Sequence, residues 1–154
     1  MGKPIRPPEL NWITPFLTVR DANRALDFYI KTFQFQEHQR VTNSEEKILF
    51  ARMTYRQCNV VLLPHAPFAL ESHRGAAPAI TKTISPISLY VYCDDLEERY
   101  EKALAAQLKI LLPLDLRFWG DRTFRVEDPE GYIWDFATCV ADFDPNQLPP
   151  ELIK

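Results

Sequence analysis

Cysteine is scarce and unpatterned in this chain. Its 154 residues include three, Cys58, Cys93 and Cys139. The count is odd, the spacings are wide and no CxxC occurs, which argues against a disulfide framework and against a zinc knuckle. Cys58 and Cys93 are expected to serve as small apolar side chains in or near strands. No neighbouring motif makes Cys58 or Cys139 a reactive thiol. Long apolar runs are also missing: nothing reaches the roughly 18 residues of a membrane span, and no signal-peptide core is present. The expectation is a cytoplasmic protein with no membrane contact. Basic blocks are absent and the net charge is −3, so the Lys/Arg footprint needed to neutralise phosphates is lacking and nucleic acid is not an expected partner. A Ser/His/Asp elbow, a phosphate loop and an HExxH helix are all missing.

What is present is an ordinary globular composition rich in aromatics. Ten Phe, six Tyr and three Trp can fill a sizeable core, and the length is that of one domain, 1–154. After a proline-bearing arm over 1–10, a strand is expected over 12–20. There Phe16 and Thr18 share a face with Thr14, and Leu17 and Val19 lie on the other. Pro15 weakens the start of that strand. Asp21 is placed to cap a helix over 22–33, whose Ala22, Ala25, Leu26, Tyr29, Ile30 and Phe33 recur at helical spacing. Strands follow over 36–42, 47–54 and 59–63. The stretch 64–83 has no clear period and reads as the only internal linker, long enough to be a crossover or a cover.

The order then repeats. A strand over 86–93 sets Ser88, Tyr90 and Tyr92 on one face. Asp95 with Glu98 reads as a capping box for a helix over 96–107, and a strand is expected over 110–114. The strongest local signal closes the series. Thr123, Arg125 and Glu127 alternate with Phe124 and Val126, and Asp128-Pro129-Glu130-Gly131 is a turn. Proline presets φ there, glycine supplies freedom, and aspartate can bond the turn backbone. The return strand over 132–137 puts Trp134 and Phe136 on one face and Asp135 on the other. The tail over 140–154 is expected to dock through Phe143 and Leu148.

The chain thus reads as β-α-β-β-β, linker, β-α-β-β-β, with a period of about 73 residues. Superposing the copies sets Thr14 on Pro86, Arg52 on Arg125 and Leu62 on Asp135. Module one spans about 12–64, the linker 65–84, module two about 85–139. Each half has an apolar face for its helix and a mixed face. Two mixed faces curving together would enclose a cavity.

The openings ITPFLTVRDANRALDFYIKTFQF and PISLYVYCDDLEERYEKALAAQ, and the closing FWGDRTFRVEDPEGYIWDFAT, resemble the glyoxalase / bleomycin-resistance / extradiol dioxygenase group, the vicinal oxygen chelate superfamily. The likeness covers about 12–139. WGDR (Trp119 to Arg122) with DPEGYIW (Asp128 to Trp134) is its most specific part and is similar to the bleomycin-resistance-like branch. The resemblance implies an α+β fold of two tandem βαβββ modules, cupped mixed sheets with helices on the outer face, a homodimer, and a site for a small molecule. In enzymes of the group that site holds a divalent metal. The ligand positions the resemblance assigns are Thr14, Leu62, Pro86 and Asp135, and of these only Asp135 can ligate. His38, His65 and His73 fall elsewhere. No metal or other cofactor is therefore expected.

The candidate ligand-binding residues are Phe16, Thr18, Phe50, Arg52, Tyr90, Tyr92, Trp119, Arg125 and Asp135. The aromatics would wall a cavity, with Trp119 at its lip able to stack on a planar ligand. Arg52 and Arg125 could recognise an anion, or be plain partners of Glu127 and Asp135. Asp135 could bind ligand, act as a base, or be the remnant of a metal site paired with Arg125 or Arg52. Asp121 and Arg122 are expected to pair with each other. Two readings stay open: a non-catalytic binder of a small, partly aromatic molecule, and a metal-dependent lyase, isomerase or dioxygenase.

Overall fold

A computed structural model describes residues 2, 4–65, 75–146 and 148–152. The chain divides into two compact units, Met1–Thr83 and Ile84–Lys154, each built on the same βαβββ plan.

In the first unit the strands are β1 (Phe16–Val19), β2 (Gln36–Thr42), β3 (Ile48–Tyr55) and β4 (Cys58–Pro64). They form a sheet in the order β1-β4-β3-β2, with β1 parallel to β4 and the other pairs antiparallel. Strand β1 is shorter than expected. Pro15 has no N–H to offer, although its carbonyl accepts from Val61 N at 2.9 Å. Helix α1 (Ala22–Phe33) starts where Asp21 accepts hydrogen bonds from Asn23 N and Arg24 N, the expected cap. Its buried Leu26, Tyr29 and Phe33 cover the sheet face carrying Leu17, Val19, Ala51, Met53 and Leu62. The opposite face carries Phe16, Thr18, Phe50, Arg52 and Val61.

The second unit repeats this with β5 (Ser88–Tyr92), α3 (Leu96–Ala105), β6 (Lys109–Leu116), β7 (Asp121–Glu127) and β8 (Ile133–Cys139), the sheet order being β5-β8-β7-β6. Trp134 and Phe136 stack with rings 6.3 Å apart, Phe124 lies 5.4 Å from Phe136, and Tyr100 of α3 lies 5.0 Å from Phe124. Both long helices are followed by a glutamine in the left-handed region, Gln34 (φ 57°) and Gln107 (φ 54°), so the repeat extends to the turn conformations.

Three expectations need correction here. The capping box at Asp95 does not form: its carboxylate makes no cap bond and instead accepts from Arg99 Nε at 2.6 Å. That bond holds Arg99 buried, with its guanidinium 5.3 Å from the Phe136 ring. The linker is not featureless, since Pro78–Thr81 forms a short helix, α2, with proline in its first turn. Residues 66–74 of it, which include His73, lie outside the described residues. In the tail, Phe143 docks at 6.2 Å from Phe118, whereas Leu148 stays exposed. No helix among the described residues is long and apolar enough to cross a membrane.

The closing hairpin is tied together by one buried acid. Buried Asp128 accepts from Glu130 N (2.9 Å) and Tyr132 N (3.0 Å) through Oδ1, and from Trp134 Nε1 (2.7 Å) through Oδ2. Gly131 at φ 86° closes the turn, its N–H bonding Asp128 O at 3.0 Å. Replacing Asp128 by Ala leaves a buried indole N–H and two turn amides without an acceptor. The expected loss is about 3 kcal/mol, read as a lower urea midpoint at unchanged slope, with Asn recovering part of it. Gly120 is equally constrained: its φ is 95°, and a β-carbon there would lie 2.1 Å from Ala141 O. Gly120→Ala is expected to destabilise by about 2 kcal/mol or more in the same assay.

Candidate functional site

The alternation of β5, β7 and β8 sets one polar face away from α3. Register pairs Tyr90 with Asp135, Asp135 with Arg125, and Tyr92 and Thr123 with Ala137. Arg125 grips Asp135 with a two-point fork, Nε to Oδ1 at 2.8 Å and Nη2 to Oδ2 at 3.1 Å. Asp135 is buried at 2 % exposure, and its hydrogen bond holds the Arg125 guanidinium above its ordinary value. Asp135 is therefore paired within its own sheet, as one of the open readings held. Glu127 binds Lys109 at 3.0 Å.

Beside this pair lies a cluster built on Asp121. The expected Asp121–Arg122 pair does not exist, because neighbours on a strand point to opposite faces. Arg122 bonds Glu97 of α3. Asp121 turns onto the polar face, buried at 3 %, and its Oδ2 accepts from Tyr90 Oη (2.8 Å) and Tyr92 Oη (2.9 Å). Trp119 Nε1 donates to Tyr90 Oη at 3.1 Å. The Tyr90 hydroxyl, tucked against Asp121 while its ring stays 40 % exposed, is pushed up to about 12, by burial first and by the carboxylate beyond it. Tyr92 is raised above the ordinary tyrosine value chiefly by its bond to Asp121. The period-two pattern that set Thr123 and Arg125 on this face reaches Asp121 when extended by one more step. That was the available signal for the residue.

The aromatic side chains form a connected series. Tyr92 and Tyr90 have ring centroids 5.3 Å apart, Trp119 bonds Tyr90, Phe118 meets Trp119 edge-on at 5.0 Å, and Phe143 follows Phe118. Tyr90, Tyr92, Phe118 and Phe143 all keep large exposed areas. Phe118 and Phe143 extend the group beyond the residues that the sequence singled out.

In the first unit, Phe16 is exposed, Phe50 half-buried and Arg52 buried. Thr18 is half-buried beside Gly75, where a β-carbon would lie 2.6 Å from its Oγ1. Register corrects the superposition. Arg52 pairs with Val61 and Phe16 with Val61, as Arg125 and Tyr90 pair with Asp135. Val61, not Leu62, is thus the counterpart of Asp135. Leu62 pairs with Ala51 on the helix-covered face, and a slip of one residue is a change of face. By the same register Thr14 matches Ser88 rather than Pro86. A divalent metal does not fit these residues. Val61 has no donor atom, hydroxyls are poor ligands, and both oxygens of Asp135 are engaged by Arg125. No group of three His, Cys, Asp or Glu side chains converges as a metal set among the described residues. His38 lies on exposed β2, and His65 Nδ1 sits 3.4 Å from Gly75 O. Burial pushes the Cys93 thiol up to about 11, which removes it as a nucleophile.

The tyrosine–aspartate cluster has a titration signature. Folded Tyr90 holds its proton more tightly than the unfolded chain does. Its contribution to stability is whole below about pH 10 and is lost as pH rises toward about 12. Phenolate absorbance is expected to show two late-titrating tyrosines. Asp121→Asn should move Tyr92, and with it Tyr90, back toward the ordinary value; an unchanged titration would refute the assignment.

Comparison with known proteins agrees with this architecture. A family model described as Glyoxalase/Bleomycin resistance protein/Dioxygenase superfamily matches residues 9–136. An uncharacterised protein of Mycobacterium tuberculosis (strain ATCC 25618 / H37Rv) is 26% identical over 136 residues, 88% of this chain and 79% of that protein. The crystal structure of TioX from Micromonospora sp. ML1 superposes with a TM-score of 0.66 at 24% identity, covering 84% of this chain and 99% of TioX. The fosfomycin resistance protein FosX from Listeria monocytogenes, crystallised with Mn(II) and sulfate, does so at 0.61 and 13% identity over 83% of this chain and 89% of its own. With a family model spanning most of its length and two βαβββ modules in register, the chain belongs to the glyoxalase/bleomycin resistance protein/dioxygenase superfamily.

Proposed function

We propose that this protein binds a small, flat, partly aromatic molecule, acts as a two-fold dimer, and works without a metal. The observation that carries the reading is the connected series Tyr92, Tyr90, Trp119, Phe118 and Phe143, whose rings touch one another and keep much of their surface open. Offset and edge-on contacts with such rings favour a planar partner. Asp121 supports the series from beneath by fixing two hydroxyls, so the rings are already ordered before a ligand arrives. Both oxygens of Asp135 already accept from Arg125, a pairing that favours a binding role over a catalytic one. The dimer rests on the family's habit of building sites from modules of two subunits.

The test combines binding with metal analysis. Calorimetric titration with planar aromatic compounds such as 1-naphthoate and quinoline should give saturable binding, weakened about tenfold by Trp119→Ala, the loss of one stacking contact. Protein purified without chelator should carry no stoichiometric divalent ion. A bound ion that disappears in Asp135→Ala would overturn the metal-free reading and favour a metal-dependent lyase, isomerase or dioxygenase. Sedimentation as a monomer at micromolar concentration would overturn the dimer.

A further inference from the structure

Strand β8 does not simply stop after Cys139. The next two amides, Val140 N and Ala141 N, both donate to Gly120 O at 3.0 Å. Two consecutive N–H groups on one carbonyl set two residues of a strand against one of its partner. That is the hydrogen-bond pattern of a β-bulge, and a bulge bends the strand that carries it. Asp121 pairs with Cys139 in the regular ladder, so the bulge lies one step beyond, at the loop between β6 and β7. Gly120 admits it. The residue is buried, its φ is 95°, and a β-carbon there would lie 2.1 Å from Ala141 O.

The bend has a target. Just past the bulge, Phe143 meets Phe118 with ring centroids 6.2 Å apart. Phe118 in turn stands edge-on to Trp119 at 5.0 Å. Residues 117–120 form a tight turn, closed by Gly120 N to Arg117 O at 3.0 Å and across its base by Arg117 N to Asp121 O at 2.7 Å. The segment after β8 grips this turn by its backbone at Gly120 and by a ring at Phe118. Those two residues are the immediate neighbours of Trp119 in the chain. Trp119 itself reaches the sheet through Nε1, which donates to Tyr90 Oη at 3.1 Å. One hydrogen bond to the hydroxyl of an exposed tyrosine is a weak restraint on a loop side chain. Bracing on both sides supplies what that bond lacks.

We propose that residues 140–143 are a strap that positions Trp119. The bulge at Gly120 fixes the backbone on one side of it, Phe143 braces Phe118 on the other, and the indole is set on Tyr90 before a ligand arrives. Phe143 is thus a positioning residue that acts through Trp119. For the ligand this rests on the reading of the preceding subsection, but the strap itself is measured without one.

Solvent exchange of the indole N–H groups reads it, measured by magnetisation transfer from water in ¹⁵N-labelled full-length protein. The Trp119 resonance is the one lost in Trp119→Phe. Phe143→Ala removes a ring that is 49 % exposed and should stay folded by thermal melting. It should speed exchange at Trp119 about tenfold, a local opening, and leave Trp134, which is bonded to Asp128, unchanged. Phe143→Tyr keeps the ring, lets its hydroxyl reach water and should restore the parent rate. Calorimetry with 1-naphthoate separates positioning from contact. Phe143→Ala should weaken binding about threefold in the parent and have no effect in Trp119→Ala, because a residue that acts through another is silent once that other is gone. The proposal is overturned if Trp119 exchange is unchanged in Phe143→Ala, if Trp134 accelerates equally, if Phe143→Tyr behaves like Phe143→Ala, or if the loss of affinity is the same with and without Trp119. If 1-naphthoate fails to bind the parent while the exchange results hold, the aromatic-binding reading falls and the strap stands.

Discussion

The carboxylate of Asp128 is the constraint on which the second unit depends. It joins two turn amides and the Trp134 indole to one buried acid, and so fixes the β7–β8 register. In a two-stranded ladder a slip of one residue exchanges the faces of every side chain. A slipped β8 would bring Asp135 against the helix and Trp134 out into the polar face. The fork between Arg125 and Asp135, and the position of Tyr90 beside it, are consequences of a turn that sits outside the site.

That dependence explains what could be read from the sequence. The turn is local chemistry, and so is the Asp21 cap. Both were legible because proline, glycine and aspartate each act on their own backbone. Helix α1 falls on the expected residues because its apolar period is uninterrupted. The duplicated plan was legible for the same reason. Failures occurred where a side chain had a choice of distant partners. Asp95 looks like a cap and instead bonds Arg99; Asp121 looks like a partner for Arg122 and instead bonds two tyrosines from β5. A charge in a sequence shows that a partner is needed, but folding determines which partner it finds. Leu62 failed differently. The span from Arg52 to its partner Val61 is one residue shorter than the span from Arg125 to Asp135, and one residue is enough to change a strand position's face.

The corrected register changes what the duplication means. With Leu62 opposite Asp135 the first unit seemed merely to have lost a polar position. With Val61 there, the contrast becomes specific, because the guanidinium is present in both units and only its carboxylate partner differs. Asp135 neutralises Arg125 and holds it still. The fork is then occupied, and the second unit presents mainly aromatic surface. Val61 offers Arg52 no acceptor, and Arg52 Nε is buried without a hydrogen-bond partner among the described residues.

A buried cation is tolerated in a marginally stable fold only when something nearby offsets its cost. In the first unit that offset comes from outside the sheet, from Glu9, on an arm that Asn59 fastens through Glu9 O and the Asn11 side chain. An ion pair meant only for stability would be expected to look like Arg125 with Asp135, two-pronged and short. The long single contact at Arg52 is weaker than that fork, so Arg52 draws less from its partner than Arg125 does.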